Sequence, residues 1–562
     1  MHKNFWEGKY PSGVPSTIDA DSYDSIQAVL AEACARFADK PAFSNLGHTL
    51  SYAELERDSA AFAAWLQQHT DLKPGDRLAI QLPNLLQYPV VVFGAIRAGL
   101  VVVNTNPLYT AREMQHQFVD SGARAVVCLA NMADRLEQIL PCTAIETVII
   151  TQIGDYLPAP RRWLVNAAVK YLKRMVPAWH IAGAHDFVRV LRRGRKLDYR
   201  PVSNQPGDLA ILQYTGGTTG VAKGAMLSHR NLIANMLQAR TMMASNLKEG
   251  VETVVTPLPL YHIYAFTFHC MAMTLTGNHN LLITNPRDLD SLIKAMQRNR
   301  FTAFIGLNTL FAALCNNEQF LRLDFSALKL TVSGGMALQM SVAQRWEEVT
   351  GVRICEGYGL TETSPIISVN PVATNQLGTI GIPVPSTMCK VIDEQGVELP
   401  LGEAGELCVK GPQVMLGYWQ NQQETAAVMD SQGWLRTGDI AIIQPDGYMR
   451  IVDRKKDMIL VSGFNVYPNE IEEVVAALPQ VAQCAAIGVP DEKTGEAIKV
   501  FVVVRQGQKL AAEQVVAHMR KNLTAYKVAR QIEFREELPT SNVGKVLRRQ
   551  LRDEELARQA QG

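Results

Sequence analysis

The chain has 562 residues, 47% hydrophobic and 19% charged, enough to bury several cores, which excludes an intrinsically disordered protein or a small disulfide-stapled fold. Its formal net charge of +1 supplies no global field for nucleic acid, so no nucleic-acid partner is expected and any electrostatic partner must meet a local patch. Nine scattered cysteines without a C-x-x-C pair indicate neither a disulfide framework nor a zinc site and suit a reducing cytoplasm.

Residues 1–13 contain no apolar core of the kind a secretory signal needs, consistent with a cytoplasmic location. Helical apolar spacing over 52–66, with strand-like runs at 77–82, 125–129 and 147–150, reads as α/β units with parallel sheets. Between residues 155 and 200 eleven Lys and Arg face three Asp. In a helix over 162–175, Leu164, Val165, Ala167, Ala168, Tyr171, Leu172 and Met175 cover one half, while Arg162, Lys170 and Lys173 cluster on the other. Such a basic amphipathic helix suits the anionic inner face of a membrane, as a peripheral contact. A helix packed on the body with its charges in water fits the same pattern, and both readings stay open.

The loop Tyr214-Thr215-Gly216-Gly217-Thr218-Thr219-Gly220-Val221-Ala222-Lys223-Gly224 has the composition of a phosphate cradle. Glycines permit close backbone approach, successive N–H groups form an anion nest, and the threonines and Lys223 add donors. It is not the P-loop of ordinary NTPases, because Val221 and Ala222 stand where that pattern requires glycine. Residues 258–277 carry no formal charge but include Pro259, His262 and His269, and read as a buried core segment rather than a membrane span. From about residue 390 the texture changes to short strands with Gly-rich turns, a small β-rich subdomain. The charged junction Asp453-Arg454-Lys455-Lys456-Asp457 then precedes a unit of its own, with a helix over 469–478 and strands over 485–489 and 498–504. If that junction is a hinge, Lys545, in Ser541-Asn542-Val543-Gly544-Lys545, belongs to a lobe that moves relative to the phosphate loop.

Further motifs follow in order: Leu258-Pro259-Leu260-Tyr261-His262, Ser333-Gly334-Gly335-Met336, Glu356-Gly357-Tyr358-Gly359-Leu360-Thr361-Glu362-Thr363 and Trp434-Leu435-Arg436-Thr437-Gly438-Asp439. With the phosphate loop, the junction and Lys545, they resemble the adenylate-forming superfamily of acyl-CoA synthetases, luciferases and peptide-synthetase adenylation domains. Residues 432–460 look most like the bacterial long-chain fatty acid CoA ligases. The resemblance implies an α/β adenylate-forming fold. Its large domain, residues 1–453, would combine α/β subdomains and a small β-barrel, with a mobile α+β domain over 454–562. It also implies a two-step reaction: a fatty acid carboxylate attacks the α-phosphorus of ATP to give acyl-adenylate and pyrophosphate, and the thiol of coenzyme A then displaces AMP.

Roles follow by matching position. Thr215, Gly216, Gly217, Thr218, Thr219, Gly220 and Lys223 would hold the phosphates, and Glu362 with Thr215 would serve Mg²⁺. Gly334, Gly335, Met336, Glu356, Gly357, Tyr358, Gly359 and Thr361 would frame the adenine, and Asp439 with Arg454 the ribose. His262, Phe266, Gly335 and Gly359 would border the acid, with Phe268, Met271, Ile305 and Leu307 as further tunnel candidates. Lys545 would stabilise the first transition state, Lys456 would be the hinge, and Ser462 and Gly463 would line the coenzyme A channel.

Each buried methylene of an acid tail contributes about 0.8 kcal/mol, so selection by chain length is energetically easy. Medium-chain or aryl acid CoA ligases, and acyl-AMP ligases serving a carrier protein, share the ATP-handling residues and remain alternatives. A homodimer is admitted by the same reading.

Overall fold

The computed structural model describes residues 5–215, 222–462, 464–491, 494–540 and 546–559. The expected sites at Gly216, Gly217, Thr218, Thr219, Gly220, Gly463 and Lys545 therefore lie outside the described residues. Among those described are four sheets. The first is seven-stranded and runs, in spatial order, His185–Asp186, Thr147–Thr151, Ala123–Leu129, Arg77–Gln81, Val101–Asn104, Leu209–Thr215 and Lys223–Ser228. Every neighbouring pair is parallel except the last, which is an antiparallel hairpin. Its inner strands are apolar on both faces, as a sheet covered by helices on either side requires. Helix Gln87–Arg97 packs on this sheet, and helix Tyr52–His69 packs on that helix in turn; the latter is started by a reciprocal capping box in which Ser51 accepts from Glu54 N–H and the Glu54 carboxylate accepts from Ser51 N–H.

The second sheet has nine strands; its parallel centre includes Thr253–Thr256, Ala303–Gly306, Leu330–Ser333 and Ile354–Gly359. The carboxyl ends of the last two carry the glycine-rich segments expected to meet nucleotide, where open α/β sheets generally bind ligands. The β-rich region is a four-stranded antiparallel sheet, Met388–Ile392, Ala404–Lys410, Leu435–Ile443 and Met449–Arg454. Residues 258–277 are almost wholly buried, and among the described residues no helix is long and apolar enough to cross a membrane.

After Arg454 the chain turns at 455–457 and enters a unit built on strands Val481–Asp491 and Gly495–Val504, flanked by helices Pro468–Ala476, Ala512–Asn522 and Arg548–Gln559. It packs its own core, including Ile471, Val500, Val515 and Met519. Arg548 joins groups within this unit and at its border: NH2 donates to Glu472 Oε2 at 2.7 Å, and NH1 lies 3.4 Å from Asp457 and also from Asp453, at the end of the preceding sheet. Burial pushes the Asp453 carboxyl up to about 6, although the Arg548 charge opposes it.

The basic segment folds differently from the expected 162–175 helix. It is α-helical over Arg161–Ala167, widens to a π turn over Ala168–Leu172, and leaves helical geometry before Met175. Asn166 fixes its orientation: the side-chain carbonyl accepts from Gly154 N–H at 2.8 Å and the amide donates to Asp155 at 3.0 Å. Asn166 thus faces the body, with Val165 beside Gly154, while Leu164, Tyr171, Leu172 and Met175 of the apolar half are exposed.

Candidate active site

Thr215 and Lys223 are direct cross-strand partners in the antiparallel hairpin, so the proposed phosphate loop is the connection between two paired strands. The strand Lys223–Ser228 is paired on its other edge by residues 416–419: Met226 N–H donates to Gly417 O, Leu416 N–H to Met226 O and Trp419 N–H to Gly224 O. That pairing brings in two residues that no local motif announces. Glu424 accepts a hydrogen bond from Lys223 Nζ, and the Tyr418 ring lies 5.4 Å from the same ammonium. Tyr418 OH also donates to Glu362 Oε1 at 2.7 Å, which orients the carboxylate expected to face the metal. Their only sequence signal was an aromatic and an acid close together after a glycine.

The strand Ile354–Gly359 delivers Glu356, Gly357, Tyr358 and Gly359 along one edge of the cleft. Gly359 has no room for a side chain, since a Cβ there would lie 1.9 Å from Pro365 O. A Cβ on Gly334 would meet the Tyr264 ring at 3.0 Å, and Gly335 has φ +81°, which favours glycine. Glu356 is desolvated and its carboxyl is pushed up to about 8, with Leu338 N–H donating to Oε1. Tyr358 OH donates to Asp439 Oδ2 at 2.6 Å, while Asp439 Oδ1 lies 3.3 Å from Arg454 Nε. Asp439 and Arg454 are cross-strand partners, so residues distant in sequence from Tyr358 are locked beside it by sheet register.

These groups border one cleft of about 2720 Å³, together with Thr361, Met336, His262 and Lys456. His262 caps the short helix Ile263–Ala265; desolvation holds its pKa down at about 4, so the ring is neutral at pH 7. Ala239, Met242 and Met243 of helix His229–Met243 and Phe268 of the π-helical segment Phe266–Met273, which pack on each other, add apolar lining to the same cleft. Phe266 is fully buried and does not border the cleft; Phe268 does. Met271 and Ile305 are likewise core residues without a cleft surface, and Leu307 packs beside Gly335.

On the smaller lobe, Lys456 is exposed in the 455–457 turn, while Lys455 pairs with Glu406 at 2.9 Å. Ser462 has φ +52° and donates its N–H to Thr494 O. Thr540 and Val546 form an antiparallel bridge, and Leu547 N–H donates to Pro539 O at 2.8 Å. Val546, Leu547 and Arg548 border the cleft.

For a metal, the donor set is the Glu362 carboxylate and the Thr215 hydroxyl, and no group of three His, Cys, Asp or Glu gathers among the described residues. That sparse oxygen set fits Mg²⁺, which keeps waters and takes substrate phosphate oxygens instead of requiring an all-protein cage.

Comparison with known proteins gives a consistent result. Residues 30–419 match the AMP-binding enzyme family, and residues 470–545 match the AMP-binding enzyme C-terminal domain. A protein of Escherichia coli O6:H1 named long-chain-fatty-acid–CoA ligase is 53% identical over 98% of each chain, and one of Haemophilus influenzae with the same name is 49% identical over 99% of each. Among solved structures, ATP-bound MatB from Rhodopseudomonas palustris superposes with a TM-score of 0.82 at 27% identity, covering 94% of this chain and 99% of that one. With a family match spanning most of its length and relatives near half identity end to end, the chain belongs to the AMP-binding enzyme family.

Proposed function

We propose that this chain is a long-chain fatty acid CoA ligase that works through an acyl-adenylate. One observation carries the reading: the residues assigned to phosphate, ribose and the acid carboxylate border a single cleft that also takes in the apolar side chains Met242, Met243 and Phe268. In this reading Thr215 and Lys223 hold the β- and γ-phosphates from opposite sides of the hairpin mouth. Tyr358 packs against adenine, and Asp439, oriented by Tyr358 and Arg454, accepts the ribose hydroxyls. Neutral His262 orients the acid carboxylate without competing for its charge. Mg²⁺ held at Glu362 and Thr215 would neutralise phosphate charge as it builds.

A free carboxylate cannot acylate a thiol, because oxide is too poor a leaving group; AMP supplies a better one. Lys545, next to Val546 in sequence, donates to the carboxylate and ribose-side oxygens as negative charge gathers. Residues 1–453 and 454–562 act as two lobes hinged at Lys456. Their rotation withdraws Lys545 after the first step and brings the segment of Ser462 and Gly463 to the pantetheine arm.

The test is pyrophosphate release with saturated acids from short to long chain and with a cinnamate. Rates that rise into the long-chain range support the reading. A maximum at medium-chain or aryl acids would replace it with those ligases, and acyl-adenylate that coenzyme A does not convert to a thioester would indicate delivery to a carrier protein.

A further inference from the structure

The helix Ala111–Ser121 touches both stems of the hairpin that carries Thr215 and Lys223. The helix is itself firmly placed. It opens on a capping box between Thr110 and Glu113, closes on Gly122 at φ +59°, and buries Met114 and Phe118. Gln117 Nε2 donates to Asn104 O at 2.9 Å, which ties the helix to strand Val101–Asn104 of the first sheet.

Two of its residues, one turn apart, make the contacts to the hairpin. Asp120 holds the incoming stem: its carboxylate accepts from Tyr214 OH, and its carbonyl accepts from Trp419 Nε1 at 3.0 Å. Trp419 in turn donates its N–H to Gly224 O on the outgoing stem, and the Tyr214 ring covers Gly224, where a Cβ would meet it at 3.2 Å. His116 holds the outgoing stem directly, with Nε2 3.1 Å from Ala222 O. A carbonyl oxygen can only accept, so Nε2 carries the proton and donates.

Position decides what that bond does. The Ala222 carbonyl and the Lys223 N–H belong to one planar peptide unit, so holding the oxygen fixes the tilt at which the chain enters Lys223. Lys223 is the cross-strand partner of Thr215, and Tyr214 directly precedes Thr215. The helix therefore grips the residue before each of the two phosphate donors. Donors held in place before a ligand arrives spare part of the ordering cost of binding it.

We infer that His116 is a positioning residue for ATP: by donating to Ala222 O it sets Lys223 opposite Thr215 for the β- and γ-phosphates. This rests on the proposed assignment of those phosphates to Thr215 and Lys223. AMP has neither phosphate, so the bond matters for ATP and not for AMP.

The experiment is calorimetric titration of the full chain, in Mg²⁺, with AMP and with the non-reacting α,β-methylene analogue of ATP. His116→Ala should weaken the analogue about 3- to 10-fold, the yield of one neutral hydrogen bond, and leave AMP unchanged, which also shows the variant to be folded. His116→Gln should restore the affinity, because its amide nitrogen reaches as far as Nε2; His116→Asn, a methylene shorter, should not. Pyrophosphate release should show the same split, with KM raised for ATP and unchanged for the acid. Wild-type affinity for the analogue in His116→Ala, an equal loss of AMP and analogue, or no recovery in His116→Gln would overturn the inference and leave the proposed reaction standing. Absence of acid-dependent pyrophosphate release by wild type would defeat the proposed function, and the inference with it.

Discussion

Replacing Asp439 by Asn perturbs the proposed ribose site with little change in shape. Asp439 is 4% exposed, accepts from Tyr358 OH at 2.6 Å and pairs with Arg454 at 3.3 Å. The amide keeps one acceptor oxygen, so Tyr358 retains a partner, but it cannot accept from both ribose hydroxyls. The loss is one hydrogen bond to a charged acceptor, about 1.5–3 kcal/mol. At about 1.4 kcal/mol per tenfold this raises the KM for ATP roughly 10- to 150-fold. The ribose lies away from the reacting phosphorus, so kcat should fall less than kcat/KM. Initial rates of pyrophosphate release are measured against ATP and against 2′-deoxy- and 3′-deoxy-ATP. Wild type should be penalised by each deoxy analogue and Asp439→Asn much less so, because the partner of the missing hydroxyl is already gone. An unchanged KM for ATP, or a full deoxy penalty in the variant, would refute the assignment.

Lys545→Ala should slow acyl-adenylate formation by roughly a hundredfold or more, the loss of one preorganised donor worth about 3–4 kcal/mol, while thioester formation from synthetic acyl-adenylate persists. Equal loss of both half-reactions, followed by quench-flow, would contradict alternation of the lobes. Gly359→Ala should cost about 1–3 kcal/mol and lower the thermal midpoint, because its Cβ would press on Pro365 O at 1.9 Å. Gly357→Ala, whose nearest atom is 3.6 Å away, should leave the midpoint unchanged, and identical behaviour of the pair would disprove the packing argument. Glu356 provides a pH test: desolvation raises its folded pKa from the usual 4.5 to about 8. The folded state then holds a proton the unfolded chain has released, so stability falls as pH rises between those values. Glu356→Gln should gain on wild type through that window and match it at its acid end, whereas parallel melting curves would show that Glu356 does not titrate there.

Much of the scaffold was legible locally. Ser51 with Glu54 starts the helix Tyr52–His69 through contacts three residues apart, and the run of apolar residues at 125–129 suits a strand buried on both faces. The order of the glycine-rich motifs identified the family for a similar reason, since each depends on a short backbone stretch approaching a ligand. The phosphate-loop tip, Gly463 and Lys545 remain assignments by motif.

What local sequence could not decide was orientation and partnership. Residues 266–273 are almost uniformly apolar, so no periodicity distinguishes Phe266 in the core from Phe268 on the cleft. The amphipathic pattern of 162–175 left the direction of its apolar half open, and the hydrogen bonds joining Asn166 to Gly154 and Asp155 leave Leu164, Tyr171, Leu172 and Met175 exposed. Tyr418 and Glu424 reach Glu362 and Lys223 only because residues 416–419 pair with the strand Lys223–Ser228. Short-range chemistry determines which elements form and which ligands their turns suit. Sheet register and buried polar partners, set by residues far along the chain, decide which side chains meet.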